Sequence, residues 1–471
     1  MSIQSINPAT GEVIETFEPF SQQRIDAALD QAQQTFRQWR TTTLDERARL
    51  VREIAKTLRA QKAQLARVMT LEMGKPIVEA EAEVEKCAWN CDFYAEEARR
   101  YLADEPAPST AQESYVAFRP LGVVLAVMPW NYPLWQVFRF AAPALMAGNV
   151  AVLKHASNVT RSALEIERVI GEAAQAAGAP AHLFQTLIVP GAEVDKLIKD
   201  RRIAAVTLTG SDPAGVSVAM AAGSVLKKTV LELGGSDAFI VLDDADIEAA
   251  AQMAAKARFQ NTGQSCIAAK RFIVVESVAD AFEQAFVKAT EALKVGDPLD
   301  RETQVGAMAR HDLRDDLERQ VRASLKEGAK ALTGGEPISG PGAFYTPTIL
   351  TNVTPEMTVF REETFGPVAA VIHAQDEADA IRLANQSDFG LGGAVWTRDI
   401  ARGERVAQQI ESGAVFINGM TASDPRLPFG GVKRSGYGRE LSSFGIREFV
   451  NIQTVWIGPA KGAAPTRVAA E

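Results

Sequence analysis

Cysteine and histidine are scarce in this chain. Three cysteines among 471 residues, Cys87, Cys91 and Cys266, exclude a disulfide framework and suit a reducing, cytoplasmic setting. Four histidines, His155, His182, His311 and His373, stand apart from cysteine and carboxylate at metal-ligand spacing, so no metal site is expected. A basic excess is also missing. Fifty Lys and Arg against 59 Asp and Glu leave a net charge of −9, which argues against nucleic acid or an anionic membrane as partner. No apolar run is long and unbroken enough to span a bilayer, and the first residues carry neither the basic nor the apolar region of a secretion signal.

What is present is a globular composition, 46% apolar and 23% charged, in a length that holds about two to four domains. The first hundred residues read as helical. Thr43 and Glu46 have the spacing of a capping box, Leu50, Ile54, Leu58, Leu65 and Val68 follow at helical intervals, and Gly74 and Pro76 mark the stop. A second helix is expected from about 76 to 101, with Cys87 and Cys91 one turn apart as small packing residues. Residues 102–113, rich in Pro, Ala and acid, read as an exposed linker. Short apolar runs at 121–128, 149–154, 184–189 and 204–210 then alternate with helical segments. A second such set runs through 237–242, 271–276, 366–373, 392–397 and 413–419. Strand alternating with helix predicts two parallel, doubly wound α/β units that bind ligands at the carboxyl ends of their strands.

Four local features could carry chemistry. Cys266 follows a helix in FQNTGQSC; a cysteine in a glycine-containing turn is a nucleophile or a small buried residue with equal weight. Glu232 interrupts an apolar run before two glycines, as a general base or as a salt-bridged edge residue. Asn131 ends the first strand, as an oxyanion donor or a turn-forming amide. Gly210 and Ser211 open a helix in TGSDPAG, as a phosphate turn or a plain strand-to-helix turn. A nucleophile, a base, an amide donor and a phosphate turn on one α/β scaffold together suggest a single active site.

The motifs MPWNYP (128–133), VLKHAS (152–157), TLTGS (207–211), LELGG (231–235), NTGQSC (261–266), EETFGP (362–367) and PFGGVKRSGYGRE (428–440) occur in one order along the chain. In these the chain resembles the NAD(P)-dependent aldehyde dehydrogenase superfamily over nearly its whole length, most closely the bacterial succinate-semialdehyde dehydrogenases. The resemblance implies a dinucleotide-binding domain at 1–101 and 121–232, a catalytic domain at 233–440 and an oligomerisation element at 102–120 and 441–458; the last stretch, PAKGAAPTRVAAE (459–471), reads by its composition as a flexible tail. It implies Cys266 as nucleophile, Asn131 as oxyanion donor and Glu232 as the base that activates water. Trp130, Lys154, Ser157, Gly210, Ser211, Leu233, Glu363 and Phe365 would contact the cofactor. In many NAD-preferring relatives an acid stands three residues after the lysine; here it is Ser157, so NADP is expected, with NAD also accepted.

The same resemblance places Arg139 in the substrate tunnel, where it is costly unless it meets an anion. Gln260, where that branch often has a second arginine, Ser423 and Trp135 would join it, and Arg426 is a possible further cation. Oxidation of succinate semialdehyde to succinate, through a cysteine thiohemiacetal and thioester, is the leading expectation. A broader aldehyde dehydrogenase, with Trp135 and Phe138 in an apolar tunnel, is the alternative; a non-catalytic protein that keeps the fold and a cofactor-independent thioesterase are the other readings. The implied partners are a small aldehyde and further copies of the chain, as a homodimer or homotetramer.

Overall fold

A computed structural model describes residues 2–459. The apolar runs after residue 120 pair side by side. Val123–Met128 lies between Val150–His155 and Ile203–Thr209, all parallel, with Phe184–Thr186 and Lys228–Glu232 outside them. Parallel strands are covered by helices on both faces, so their side chains are apolar at nearly every position rather than at alternate ones. Val123, Val124, Leu125 and Ala126 are accordingly all buried.

The second sheet has seven strands in the order Lys330–Thr333, Thr348–Thr351, Val368–Ala374, Ala269–Val275, Asp237–Val241, Gly392–Trp396, Ala414–Ile417, and only the first pair is antiparallel. The chain leaves the first sheet at Glu232 and enters the second at Asp237. It also returns: Gly436–Tyr437 pairs antiparallel with Lys228–Glu232, so the stretch 233–440 is not confined to the second sheet. A third, antiparallel sheet sets Glu113–Pro120 between Glu105–Pro106 and Val450–Ile457.

The helix Leu44–Ala60 starts at the expected capping box, with the Glu46 amide donating to Thr43 Oγ1 at 3.2 Å and the Thr43 amide to Glu46 Oε2 at 2.7 Å. It breaks at Gln61 before a further helix, Lys62–Met73, which ends on left-handed Gly74. Cys87 and Cys91 are buried on the helix Ile77–Tyr101.

Three expectations need correction. The first hundred residues are not all helical: Ile3–Ile6 and Val13–Phe17 pair as antiparallel strands, mostly exposed and without the alternation that marks a half-buried strand. The linker at 102–113 contributes the strand Glu105–Pro106. The apolar run 184–189 is strand only at Phe184–Thr186. The tail expected at 459–471 lies outside the described residues except for its first position. Among the described residues no helix is long and apolar enough to cross a membrane.

Candidate active site

The carboxyl ends of the first sheet's strands meet the loops that feed the second. Met128 leads into Trp130 and Asn131, His155 into Ser157, Thr209 into Gly210 and Ser211, and Glu232 into Leu233. From the other side comes the loop before Ala269–Val275, which carries Cys266.

That loop has an uncommon backbone. Asn261 and Thr262 have φ of 54° and 56°, a region costly for residues with a Cβ, and Gly263 follows at 72°. Surrounding contacts hold it there. The Asn261 amide donates to Glu79 Oε2 at 2.7 Å, and its side-chain Nδ2 donates to the carbonyls of Asn131 and Gln264, both at 2.9 Å. Thr262 Oγ1 accepts the Gly306 amide at 3.0 Å and Gln264 Oε1 the Ala309 amide at 2.8 Å. A Cβ on Gly263 would lie 2.3 Å from the Gly366 carbonyl oxygen, so only glycine fits. Arg258, fully buried, donates to the carbonyls of Gly263, Thr364 and Gly366.

Cys266 exposes part of its surface to a cavity of about 350 Å³. Burial pushes the thiol up to about 12, and Arg139 and Lys270 only partly offset this. A thiol so raised keeps its proton at neutral pH in this structure. Lys270 Nζ donates to the carbonyls of Ser265 and Cys266 at 2.9 and 2.8 Å and stands 3.3 Å from Glu363 Oε1. It thereby ties the Cys266 loop to the Glu363 loop. Glu363 Oε1 also accepts the Gly235 amide at 3.0 Å. The two glycines after Glu232 permit this approach: a Cβ on Gly234 would lie 2.5 Å from Glu363 Oε2, and one on Gly235 the same distance from the Cys266 carbonyl oxygen.

Glu232 is buried, and neither side-chain oxygen has a hydrogen-bond partner among the described residues. Burial raises its carboxyl well above the usual range; Arg139 opposes this and Glu440 adds to it. Asn131 donates from Nδ2 to the Gln264 carbonyl at 3.1 Å. An amide nitrogen carries two protons, so one remains for a ligand.

Arg139, Gln260, Ser423 and Trp135 all line the cavity with Cys266. The structure supplies Arg139 with an anion that the sequence does not reveal. Its guanidinium forms a buried ion pair with Glu440, donates to Thr209 Oγ1 at 3.1 Å and lies 4.6 Å from the centre of the Phe429 ring. Arg139 thus meets its anion within the protein and needs none from a substrate to offset its burial. Arg426 is exposed, pairs with Asp424 and is not part of the cavity wall. Sequence reasoning missed Lys86, Glu440, Lys270 and Arg258.

The residues expected to meet a dinucleotide fit one. Half-buried Lys154 has no hydrogen-bond or ionic partner among the described residues, and burial lowers its pKa. Ser157 is exposed and Ser211 leaves the helix Asp212–Gly223 without a side-chain cap, so hydroxyl and amide donors remain available. The Trp130 and Phe365 rings meet edge to face, 5.7 Å apart.

A two-sheet α/β chain with an unpaired cysteine on a cavity wall, and with a buried unpartnered carboxyl and a dinucleotide-type turn at the strand ends of the first sheet, has the equipment of an oxidoreductase with a covalent step. The chain belongs to the aldehyde dehydrogenase family, whose model matches residues 1–455. A succinate-semialdehyde dehydrogenase (NADP(+)) of Mycolicibacterium paratuberculosis is 53% identical over 465 residues, covering 98% of each chain. Succinate semialdehyde dehydrogenase (NAD(P)+) Sad of Escherichia coli is 52% identical over 452 residues, covering 96% of this chain and 97% of its own. The crystal structure of succinic semialdehyde dehydrogenase from Streptococcus pyogenes in complex with NADP+ superposes with a TM-score of 0.94 at 39% identity, covering 97% of this chain and all of that one.

Proposed function

We propose that the protein oxidises succinate semialdehyde to succinate, with NADP as the preferred acceptor and NAD also used. One observation carries the substrate class. The cavity at Cys266 has apolar walls at Trp135 and Phe429 and polar groups at Ser423, Gln260 and Lys86, which suits a short aldehyde with an anionic far end.

Cys266 gives its thiol proton to water in the cavity, its Sγ attacks the aldehyde carbon as the C=O π bond opens, and the new oxyanion is held by the free Asn131 Nδ2 proton and the Cys266 backbone amide. Nicotinamide, when bound, supplies the acceptor for the hydride that the adduct expels. Lys154 and Ser157 would hold the adenosine ribose and its phosphate, Trp130, Gly210, Ser211 and Leu233 would line the adenine-ribose and pyrophosphate side, and Glu363 with Phe365 would hold the nicotinamide end. Glu232 takes the proton of the water that hydrolyses the remaining thioester. The chemistry needs a reduced Cys266, as the cytoplasm keeps it. The strand Val450–Ile457 presents Ile452 and Trp456 to solvent, 63% and 56% exposed, and supports assembly into a homodimer or homotetramer through that edge.

The test is steady-state kinetics with succinate semialdehyde and with butanal. A kcat/KM advantage above about tenfold, ~1.4 kcal/mol, for the carboxylated aldehyde is expected. Equal efficiency makes the protein a general aldehyde dehydrogenase instead.

Two further outcomes follow from the same site. Asn131→Ala lowers kcat by about 10²–10³ with butanal as with succinate semialdehyde, because it removes an oxyanion donor common to both. Ser157→Glu lowers kcat/KM for NADP by at least about tenfold and spares NAD, since a carboxylate beside Lys154 repels a 2′-phosphate and accepts from a 2′-hydroxyl. Unchanged NADP use would place the 2′-phosphate elsewhere.

A further inference from the structure

The cavity that opens on Cys266 holds a cation that makes no ion pair among the described residues. Lys86 projects from the helix Ile77–Tyr101 into its wall. Its Nζ donates to Ser423 Oγ at 2.7 Å and lies 4.4 Å from the centre of the Trp135 ring. No carboxylate among the described residues stands within ion-pair distance of it. The neighbouring charges are already matched. Arg139 is paired with Glu440, Asp424 with Arg426, and Glu83 is paired with Lys75 and accepts the amides of Leu134 and Trp135, both at 2.9 Å. Glu79 accepts the Asn261 amide and is pushed up to about 7 by burial. Lys256, also on the wall and unpaired, is exposed to solvent.

A half-buried ammonium without an anion is costly, and burial together with Arg139 pushes Lys86 down to about 8. A bound carboxylate removes that cost. Ser423 Oγ accepts from Lys86 and keeps its own proton to donate, so the two side chains offer a carboxylate adjacent donors, one of them charged. The Trp135 ring beside them packs against a short methylene chain.

We propose that Lys86, with Ser423, binds the carboxylate of the aldehyde substrate and sets the preference for carboxylated over neutral aldehydes, while Arg139 is a positioning residue committed to Glu440. This rests on the reading of the substrate as succinate semialdehyde. Lys86 was not among the residues implied by the family resemblance.

The experiment compares wild type, Lys86→Met and Lys86→Arg on succinate semialdehyde and on butanal, with inhibition by succinate as a second readout. Methionine keeps the length and the packing on Trp135 and removes the charge. In Lys86→Met, KM for succinate semialdehyde and the inhibition constant of succinate rise at least about tenfold with kcat nearly unchanged. The loss is confined to carboxylated ligands, and Lys86→Arg retains the preference. An unchanged KM in Lys86→Met, alongside a wild type that prefers succinate semialdehyde, overturns the role of Lys86 and leaves the functional reading standing. An equal loss on both aldehydes makes Lys86 a scaffold residue and also overturns it. A wild type without preference overturns the functional reading and this proposal together.

Discussion

Replacing Glu232 with Gln lets the enzyme release about one equivalent of reduced cofactor per site and then stalls it. Acylation of Cys266 needs the thiol and the oxyanion donors; hydrolysis of the thioester needs a base for water. Glu232 has no hydrogen-bond partner among the described residues and ends its strand close enough to Cys266 to act on its thiol electrostatically, so its carboxylate is free to take that proton. Loss of a positioned general base lowers turnover by about 10²–10⁴. The pH profile carries a further signature. Because burial raises the Glu232 carboxyl well above the usual range, the group is neutral below its pKa and becomes a base only as pH climbs. Steady-state turnover in the wild type therefore rises with pH through that range, and Glu232→Gln loses that rise. Rapid-mixing absorbance of the reduced cofactor reads both. A variant with neither burst nor residual turnover would move Glu232 from hydrolysis to the first step.

Arg139→Met destabilises the fold and depresses turnover on butanal and succinate semialdehyde alike. The guanidinium is the countercharge of buried Glu440 and the main cationic influence on Glu232. Removing one partner of a buried ion pair costs about 3–5 kcal/mol, because the other charge stays behind in a poor solvent. The sign of its pH dependence is fixed by Glu440. Burial already raises that carboxyl, and loss of Arg139 raises it further, so the uncompensated charge exists only above the raised value. The stability deficit is thus largest at alkaline pH and shrinks as pH falls and Glu440 takes a proton. Thermal unfolding at acid and at mildly alkaline pH measures it. Arg139→Met/Glu440→Gln recovers part of the loss, since both charges are gone. A variant of wild-type stability whose only defect is KM for succinate semialdehyde would return Arg139 to the substrate carboxylate and take Lys86 away from it.

The pairing of Arg139 with Glu440 marks where the sequence stops being readable. Strand runs such as Val123–Met128 and Ile203–Thr209 stand out because parallel strands are apolar on both faces, and the residues after each carboxyl end then fall together on one rim. The glycines of LELGG are legible as a motif, yet their reason, the approach of Glu363 and the Cys266 carbonyl, exists only in three dimensions. Arg139 looks unpaired because Glu440 arrives from the far end of the chain. Lys86 looks like a solvated helix charge because Ser423, its partner, is 337 residues away. The strands Ile3–Ile6 and Lys330–Thr333 escape for a different reason: they are short edge pieces with few buried side chains, so they carry almost no periodic signal.

The central claim is that Cys266 carries the substrate as a succinyl thioester. Acid-quenched Glu232→Gln enzyme, mixed with succinate semialdehyde and NADP, tests it directly by mass spectrometry of the peptide that contains Cys266. The account predicts a succinyl group on Cys266, in proportion to the reduced cofactor formed, and none on Cys87 or Cys91. Reduced cofactor formed without modification of Cys266 would contradict it.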